Sequence, residues 1–251
     1  MTDLLITQRR LSTFGTVYVP AGEGPFPAVM LLHGSEGGWS GWGPRNALLF
    51  AAHGFLAFPF PWSLTGSVWM AGEIRDVPLE RTAEAMEAFR AVPETGGKVG
   101  LWGVSRGGEQ ALLLASLLAE AGAPLPDALA AHAPSDIVNG AFDPASWLPE
   151  GDVRVRAPVE GAAWTWQGTS ARIGPGTEIA VERYPGPVFM SVGDADSIWD
   201  PGTTLRLKAR LETAGRTPEV LVMPGEDHAF TPEGENVLFS RLMGFFRAAL
   251  G

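Results

Sequence analysis

Short apolar runs separated by amphipathic stretches recur along this chain, an alternation that predicts a mostly parallel sheet wrapped by helices. Pro27 to Leu32 and Gly54 to Pro59 are continuous apolar runs, suited to strands buried on both faces. Lys98 to Trp102, Ala128 to Ala133, Pro187 to Val192 and Glu219 to Met223 repeat the pattern. Leu11 to Val19 alternates only weakly before the turn Pro20-Ala21-Gly22-Glu23-Gly24-Pro25, which suggests an antiparallel start. Between the runs, Leu79, Ala83, Met86 and Phe89 are spaced for one face of a helix within Ile74 to Val92. A strong helix former follows Arg106, and residues 203–214 and 235–250 read as helices flanking the last strand. One stretch breaks the rhythm. Residues 136–185 are rich in Gly and Pro, carry Trp147, Trp164 and Trp166, and have no clean period. That is long for a plain loop, so a cap-like or irregular excursion near the site is expected, with a chemically idle surface excursion as the alternative. No repeat or low-complexity linker divides the chain, and 1–251 is expected to form a single domain.

Composition narrows the class. A chain of 251 residues with 45% hydrophobic content can fill one large α/β core. The net charge of −10 argues against nucleic acid or an anionic membrane as principal partner. No apolar run reaches the roughly 18 residues of a membrane span. Met1-Thr2-Asp3-Leu4-Leu5-Ile6-Thr7 lacks the basic region and apolar core of a secretory signal, so a cytoplasmic location is expected. The absence of cysteine excludes disulfides, thiolate metal sites and cysteine nucleophiles.

The chemistry concentrates in Gly103-Val104-Ser105-Arg106-Gly107-Gly108, set between a short apolar run and a helix former. With 13 serines and 32 glycines, such spacing arises by chance in roughly one chain in five, so its strand-to-helix context carries the weight. A tight turn around a serine leaves no room for side chains two residues away, which explains Gly103 and Gly107. Walker and dinucleotide-binding patterns do not fit the segment. A serine hydroxyl needs a base, and the base needs an orienting acid, in the chain order Ser, acid, His. Of the four histidines, His33 and His53 precede Ser105, and His132 comes before any acid loop. His228, in the loop after the last strand, is the expected base. The acid is expected in Gly193-Asp194-Ala195-Asp196-Ser197-Ile198-Trp199-Asp200, where Gly-x-x-Asp spacing favours Asp196, with Asp194 as the fallback. Asp200 before Pro201 suits a helix cap.

An oxyanion hole needs two donors where charge develops. The Arg106 N–H, directly after the serine, supplies one, and the loop His33-Gly34-Ser35-Glu36-Gly37-Gly38 the other, with Ser35 ahead of Glu36 and His33 bracing the loop. Trp39, Trp42, Trp62, Trp69 and Trp199 all follow strand ends, where such sheets form their binding crevice. Glu36, Trp39 and Trp199 are the expected substrate-binding residues. No metal or organic cofactor is implied.

These residues carry a resemblance to the α/β-hydrolase superfamily that covers the chain from about Leu11 to Leu250. The loops 33–38 and 227–230 resemble dienelactone hydrolase-like enzymes. The segments 103–112 and 179–188, the latter leading into Asp196 and Trp199, resemble the catalytic domain of acyl-CoA thioesterases and bile-acid-CoA:amino-acid acyltransferases. Acyltransferases of that group use cysteine and its hydrolases serine, so Ser105 implies hydrolysis. The N-terminal β-domain of the animal thioesterases has no counterpart in the chain, which weighs against a CoA ester. The expected function is therefore hydrolysis of a small-molecule carboxylic ester or lactone. An acyl-CoA thioesterase is the alternative, and a non-catalytic binding protein on the same scaffold is the alternative of another class. A local basic patch of Arg154, Arg156 and Arg172 would suit CoA phosphates, although scattered arginines usually form a solvated face. The assembly is open between monomer and homodimer.

Overall fold

The computed structural model describes residues 5–150, 153–156 and 159–251. Strands β1 (Ile6–Leu11), β2 (Gly15–Pro20) and β3 (Ala28–Leu32) lead into helix α1 (Trp42–Ala52) and strand β4 (Leu56–Phe60). The short strand β5 (Val77–Pro78) precedes α2 (Leu79–Arg90), β6 (Gly100–Val104), α3 (Arg106–Ala121) and β7 (Ala128–His132). The excursion contributes β8 (Trp147–Glu150), β9 (Val153–Arg156) and β10 (Trp164–Thr165). The chain closes with β11 (Val188–Gly193), α4 (Gly202–Thr213), β12 (Glu219–Met223) and α5 (Pro232–Leu250).

Eight strands form the main sheet in the order β1-β2-β4-β3-β6-β7-β11-β12. The β1–β2 and β2–β4 pairs are antiparallel, and the other neighbours are parallel. This is the expected mostly parallel α/β sheet. Every residue of β3 and β7 is buried, as their unbroken apolar sequences require. One core layer, with Phe58, Phe89, Leu112 and Met190, covers one face of the sheet. A second, with Phe50, Trp102, Phe189 and Phe246, covers the other beneath α1 and α5.

Register sets the site. Gly103 of β6 pairs with Leu32 of β3, Val104 with His132 of β7, Ser191 of β11 with that same His132, and Gly193 with Met223 of β12. The carboxyl ends of these strands therefore lie side by side. After β3 the chain passes to β4 on one side, and β6 starts the other half, so the crevice opens where the winding reverses.

Three elements differ from the sequence reading. The start is a hairpin, because a turn closed by the Phe14 N–H on the Leu11 carbonyl separates β1 from β2. Pro78 delays α2 to Leu79, and the chain enters it through a bend at Asp76 and the short strand Val77–Pro78. Helix α1 is an element that the apolar runs do not announce: Gly43 and Pro44 mask it, yet both sit in its first turn, where an absent N–H costs nothing. The excursion holds a two-stranded antiparallel sheet of its own, β8 with β9, and packs by short pairings, β10 on β5 and the bridges Ile74–Phe142 and Gly140–Ala162. Among the described residues no helix is long and apolar enough to cross a membrane. Met1 to Leu4 lie outside the described residues.

Candidate active site

Ser105 stands between β6 and α3 with φ 54° and ψ −118°, a backbone conformation that costs a non-glycine residue on the order of 1–3 kcal/mol. Two bonds hold it there. Its N–H donates to the His132 carbonyl at 2.8 Å, and its carbonyl accepts from the Glu109 N–H at 2.9 Å. A Cβ on Gly103 would collide with the Gly107 carbonyl, and one on Gly107 with the carbonyls of Leu32 and His33. The glycine spacing is thus a packing requirement between the elbow and the end of β3.

The acid and base loops meet beside it. His228 Nδ1–H donates to Asp196 Oδ2 at 2.8 Å, while Asp196 Oδ1 accepts from the Ile198 and Trp199 amides at 2.9 Å each. The Asp196 side chain is fully buried. Burial pushes its carboxyl up, but the hydrogen bonds from His228 and the Trp199 amide outweigh it and hold the group below its ordinary range. Asp194 points elsewhere and accepts from the Gly225 N–H at 2.6 Å. Asp200 accepts from the Gly202 N–H at 2.9 Å, which closes the turn into α4. Asp227 ties the two loops together, accepting from the Ser197 N–H at 2.7 Å, the Ser197 hydroxyl at 3.0 Å and the His228 N–H at 2.6 Å. Thr231 caps α5 below them and donates its hydroxyl to buried Glu226 at 2.6 Å.

Two other histidines brace the site. His33 Nδ1–H donates to the Gly34 carbonyl at 2.7 Å, and its ring stacks on Trp62 at 4.3 Å. His132 accepts the Ser191 hydroxyl at Nδ1 (2.9 Å) and donates from Nε2 to the His228 carbonyl (3.1 Å), fixing the backbone of the base loop. Burial lowers both imidazoles from 6.5 to about 4, so both are neutral near pH 7. Glu36 accepts from the Gly34 N–H at 2.9 Å, and burial raises its carboxyl above the ordinary value.

Ser35, Glu36, Ser105 and His228 line two cavities of about 340 Å³ each. The first is roofed by loop residues Ala71, Phe142, Pro144, Ile198 and Trp199 and also meets Arg106. The second runs under the sheet end between α1 and α5, along Trp42, Trp102, Phe230 and Phe239. Of the expected binding residues, Glu36 and Trp199 line the first cavity. Trp39 lines neither: it is half-exposed and donates to the Leu64 carbonyl. Arg172 pairs with Glu120 on the surface, and the side chains of Arg154 and Arg156 lie outside the described residues.

Sequence reasoning missed the network behind the elbow. Buried Glu109 accepts from Arg106 Nη1 (2.9 Å), the Asn139 backbone and side chain (2.9 Å each) and Trp164 Nε1 (2.7 Å). Arg106 Nη2 donates to the Gly140 carbonyl at 2.6 Å. A charged pair three residues apart at the head of an otherwise apolar helix was the available signal.

Residues 77–233 match the family described as BAAT / acyl-CoA thioester hydrolase C terminal. Mouse acyl-coenzyme A thioesterase 6 is 25% identical over 225 residues, 86% of this chain and 52% of that protein. Human mitochondrial acyl-coenzyme A thioesterase 2 is 33% identical over 105 residues, 41% of this chain and 21% of that protein. The chain spans about half the length of the first of these relatives. Among solved structures, a carboxyl esterase 2 from the fungus Tuber melanosporum superposes with a TM-score of 0.65 at 17% identity, covering 100% of this chain and 89% of that one. A dienelactone hydrolase-like promiscuous phosphotriesterase from metagenomic libraries gives 0.64 at 16% identity, covering 99% of each chain.

Proposed function

Because the chain belongs to the BAAT / acyl-CoA thioester hydrolase C-terminal family, within the α/β-hydrolase superfamily, we propose that it is a serine hydrolase of carboxylic esters and lactones. The observation that carries this reading is the 2.8 Å bond from His228 to buried Asp196, with His228 and Ser105 lining the same cavities. With Nδ1 donating to Asp196, the neutral ring presents Nε2 as a base. His228 takes the Ser105 proton as Oγ attacks the acyl carbon, and the amides of Ser35 and Arg106 receive the oxyanion. The protonated imidazole then gives its proton to the leaving group, and water, activated by the same base, releases the acid from Ser105. Asp196 stays ionised throughout, consistent with its lowered pKa.

A second reading, hydrolysis of an acyl-CoA thioester, is favoured by the family itself and by the names of the relatives. Against it, Arg106 is the only arginine or lysine among the described residues that line either cavity, and its guanidinium is engaged with Glu109 and Gly140. That leaves no basic cradle for CoA phosphates among the described lining residues. A chain-length panel of 4-nitrophenyl esters run beside acyl-CoA substrates tests the assignment. Ester turnover that Ser105→Ala lowers at least about a thousandfold is expected. Efficient acyl-CoA turnover with feeble ester activity would move the assignment to the second reading. No turnover of either class, with ligand binding unaffected in Ser105→Ala, would mark a binding protein.

A further inference from the structure

One carboxylate in the site has no cationic partner. Glu36 lines both cavities beside Ser105 and His228. Its Oε1 accepts the Gly34 N–H at 2.9 Å, and beyond the amides of Gly34 and of Glu36 itself no described residue donates to the carboxylate. It stands next to the nucleophile. A Cβ on Gly34 would meet Glu36 Oε2 at 2.6 Å and Ser105 Cβ at 3.3 Å, so the acid and the serine flank the same glycine. The other charged residues lining the cavities are paired: Arg106 with Glu109, and Glu235 with Arg45 at both oxygens. His132 is neutral, and Asp196, behind His228, adds a second negative charge. An anion in this position is costly. Burial raises the Glu36 carboxyl above its ordinary value, and its ionised form opposes the negative charge that the proposed mechanism builds on the acyl oxygen. A positive charge seated against Glu36 relieves both penalties.

We propose that Glu36 makes the site select a substrate bearing an ammonium group, and that this group occupies the second cavity. The inference rests on the serine-hydrolase reading and adds the substrate class. Two features single out that cavity. No lysine or arginine is among its described lining residues, whereas Arg106 lines the first. Trp42, Phe230 and Phe239 line it as well, and aromatic faces attract a desolvated cation. An ammonium group there meets a carboxylate at the Ser105 end and rings along the walls. A volume of about 340 Å³ lies at the low end for small-ligand sites and accommodates a trimethylammonium head on a short linker. A carboxylate or phosphate in the same place meets only repulsion, in keeping with the missing basic cradle. Because the cavity adjoins Ser105, the ammonium can belong to the acyl half or the alcohol half of the ester.

The test uses matched pairs in which a trimethylammonium group is exchanged for its uncharged isostere, tert-butyl. On the acyl half these are 4-nitrophenyl 4-(trimethylammonio)butanoate and 4-nitrophenyl 5,5-dimethylhexanoate. On the alcohol half they are choline butanoate and 3,3-dimethylbutyl butanoate, followed by acid release. At pH 8 wild type is expected to favour the cationic member of at least one pair about tenfold in kcat/KM, and that pair identifies the half that enters the cavity. Glu36→Gln keeps the shape and an oxygen for the Gly34 amide, and is expected to bring the ratio to about twofold or below. Calorimetry of choline against 3,3-dimethylbutan-1-ol on Ser105→Ala repeats the comparison without turnover. Neutral esters hydrolysed with no preference for either cation, or a preference that survives intact in Glu36→Gln, would overturn the site and leave the hydrolase reading standing. Tighter binding of choline with no ester hydrolysed would uphold the site and sink the hydrolase reading.

Discussion

Asp196 divides its carboxylate between two tasks: one oxygen holds His228, and the other collects the amides of Ile198 and Trp199. An amide at this position keeps the shape but cannot accept at both oxygens. Asp196→Asn is expected to lower kcat by about three to four orders of magnitude in steady-state ester hydrolysis. Asp194→Ala is expected to stay within about twofold of wild type in the same assay, because Asp194 contacts the Gly225 amide and not His228. Equal losses in the two variants would reject this division of roles. The pair also shows what residue-level reading can reach. Gly-x-x-Asp spacing favours Asp196, and the turn geometry explains why: the Gly193 carbonyl accepts from the Asp196 N–H, which swings that side chain toward the base loop. Chain order sets His132 aside as a base, because it precedes the acid loop. Its support of the His228 carbonyl depends on strand register, which no local pattern encodes.

Among the elements, α3 joins the elbow to the excursion. Its first turn carries Arg106 and Glu109, both nearly fully buried, and Asn139, Gly140 and Trp164 converge on that pair from 136–185. Removing the carboxylate takes the anionic partner from a buried guanidinium and the acceptor from three further donors. Glu109→Ala is therefore expected to destabilise the protein by about 3–5 kcal/mol in urea denaturation, with Glu109→Gln costing less. A loss under about 1 kcal/mol would show that the network is dispensable. The strands β3, β4, β6, β7, β11 and β12 and the helices α2 to α5 were legible because each is an apolar run or a periodic face long enough to stand out, whereas β1 is a polar, exposed run and β5, β8, β9 and β10 are two to four residues long. Helix α1 was not legible either, since a proline and a glycine open it, and the excursion was readable only as an absence of period. Its attachment is made of short pairings and side-chain contacts between residues from 30 to 87 apart in sequence.

For the whole molecule, the two neutral buried imidazoles set the acid limb of stability. His33 and His132 titrate at about 4 when folded against 6.5 unfolded, so the unfolded chain binds more protons between those values. Their contribution is complete above pH 6.5 and is lost as pH falls toward 4, on the order of 3 kcal/mol for each. Asp196, held below its ordinary 3.8, adds a further loss below that value. Thermal melts from pH 7.5 to pH 4 are expected to show Tm falling through this window, and His132→Asn to flatten the slope. An unchanged slope in that variant would remove His132 from the account. The loops after β11 and β12 have a different consequence at this scale. Gly193 has no room for a Cβ against the Glu226 carbonyl, the Ala195 amide donates to that same carbonyl, and Asp227 stitches the acid loop to the base loop. These attachments use backbone groups and the exposed Ser197 and Asp227 side chains, whereas Ile198, Trp199 and Phe230 line the cavities. The parts to which the proposal gives proton handling and those that line the cavities thus occupy the same loops yet answer to separate constraints. Mutational drift or a directed library can exchange the second set while the first is inherited intact, so one scaffold can move between acyl groups in single steps.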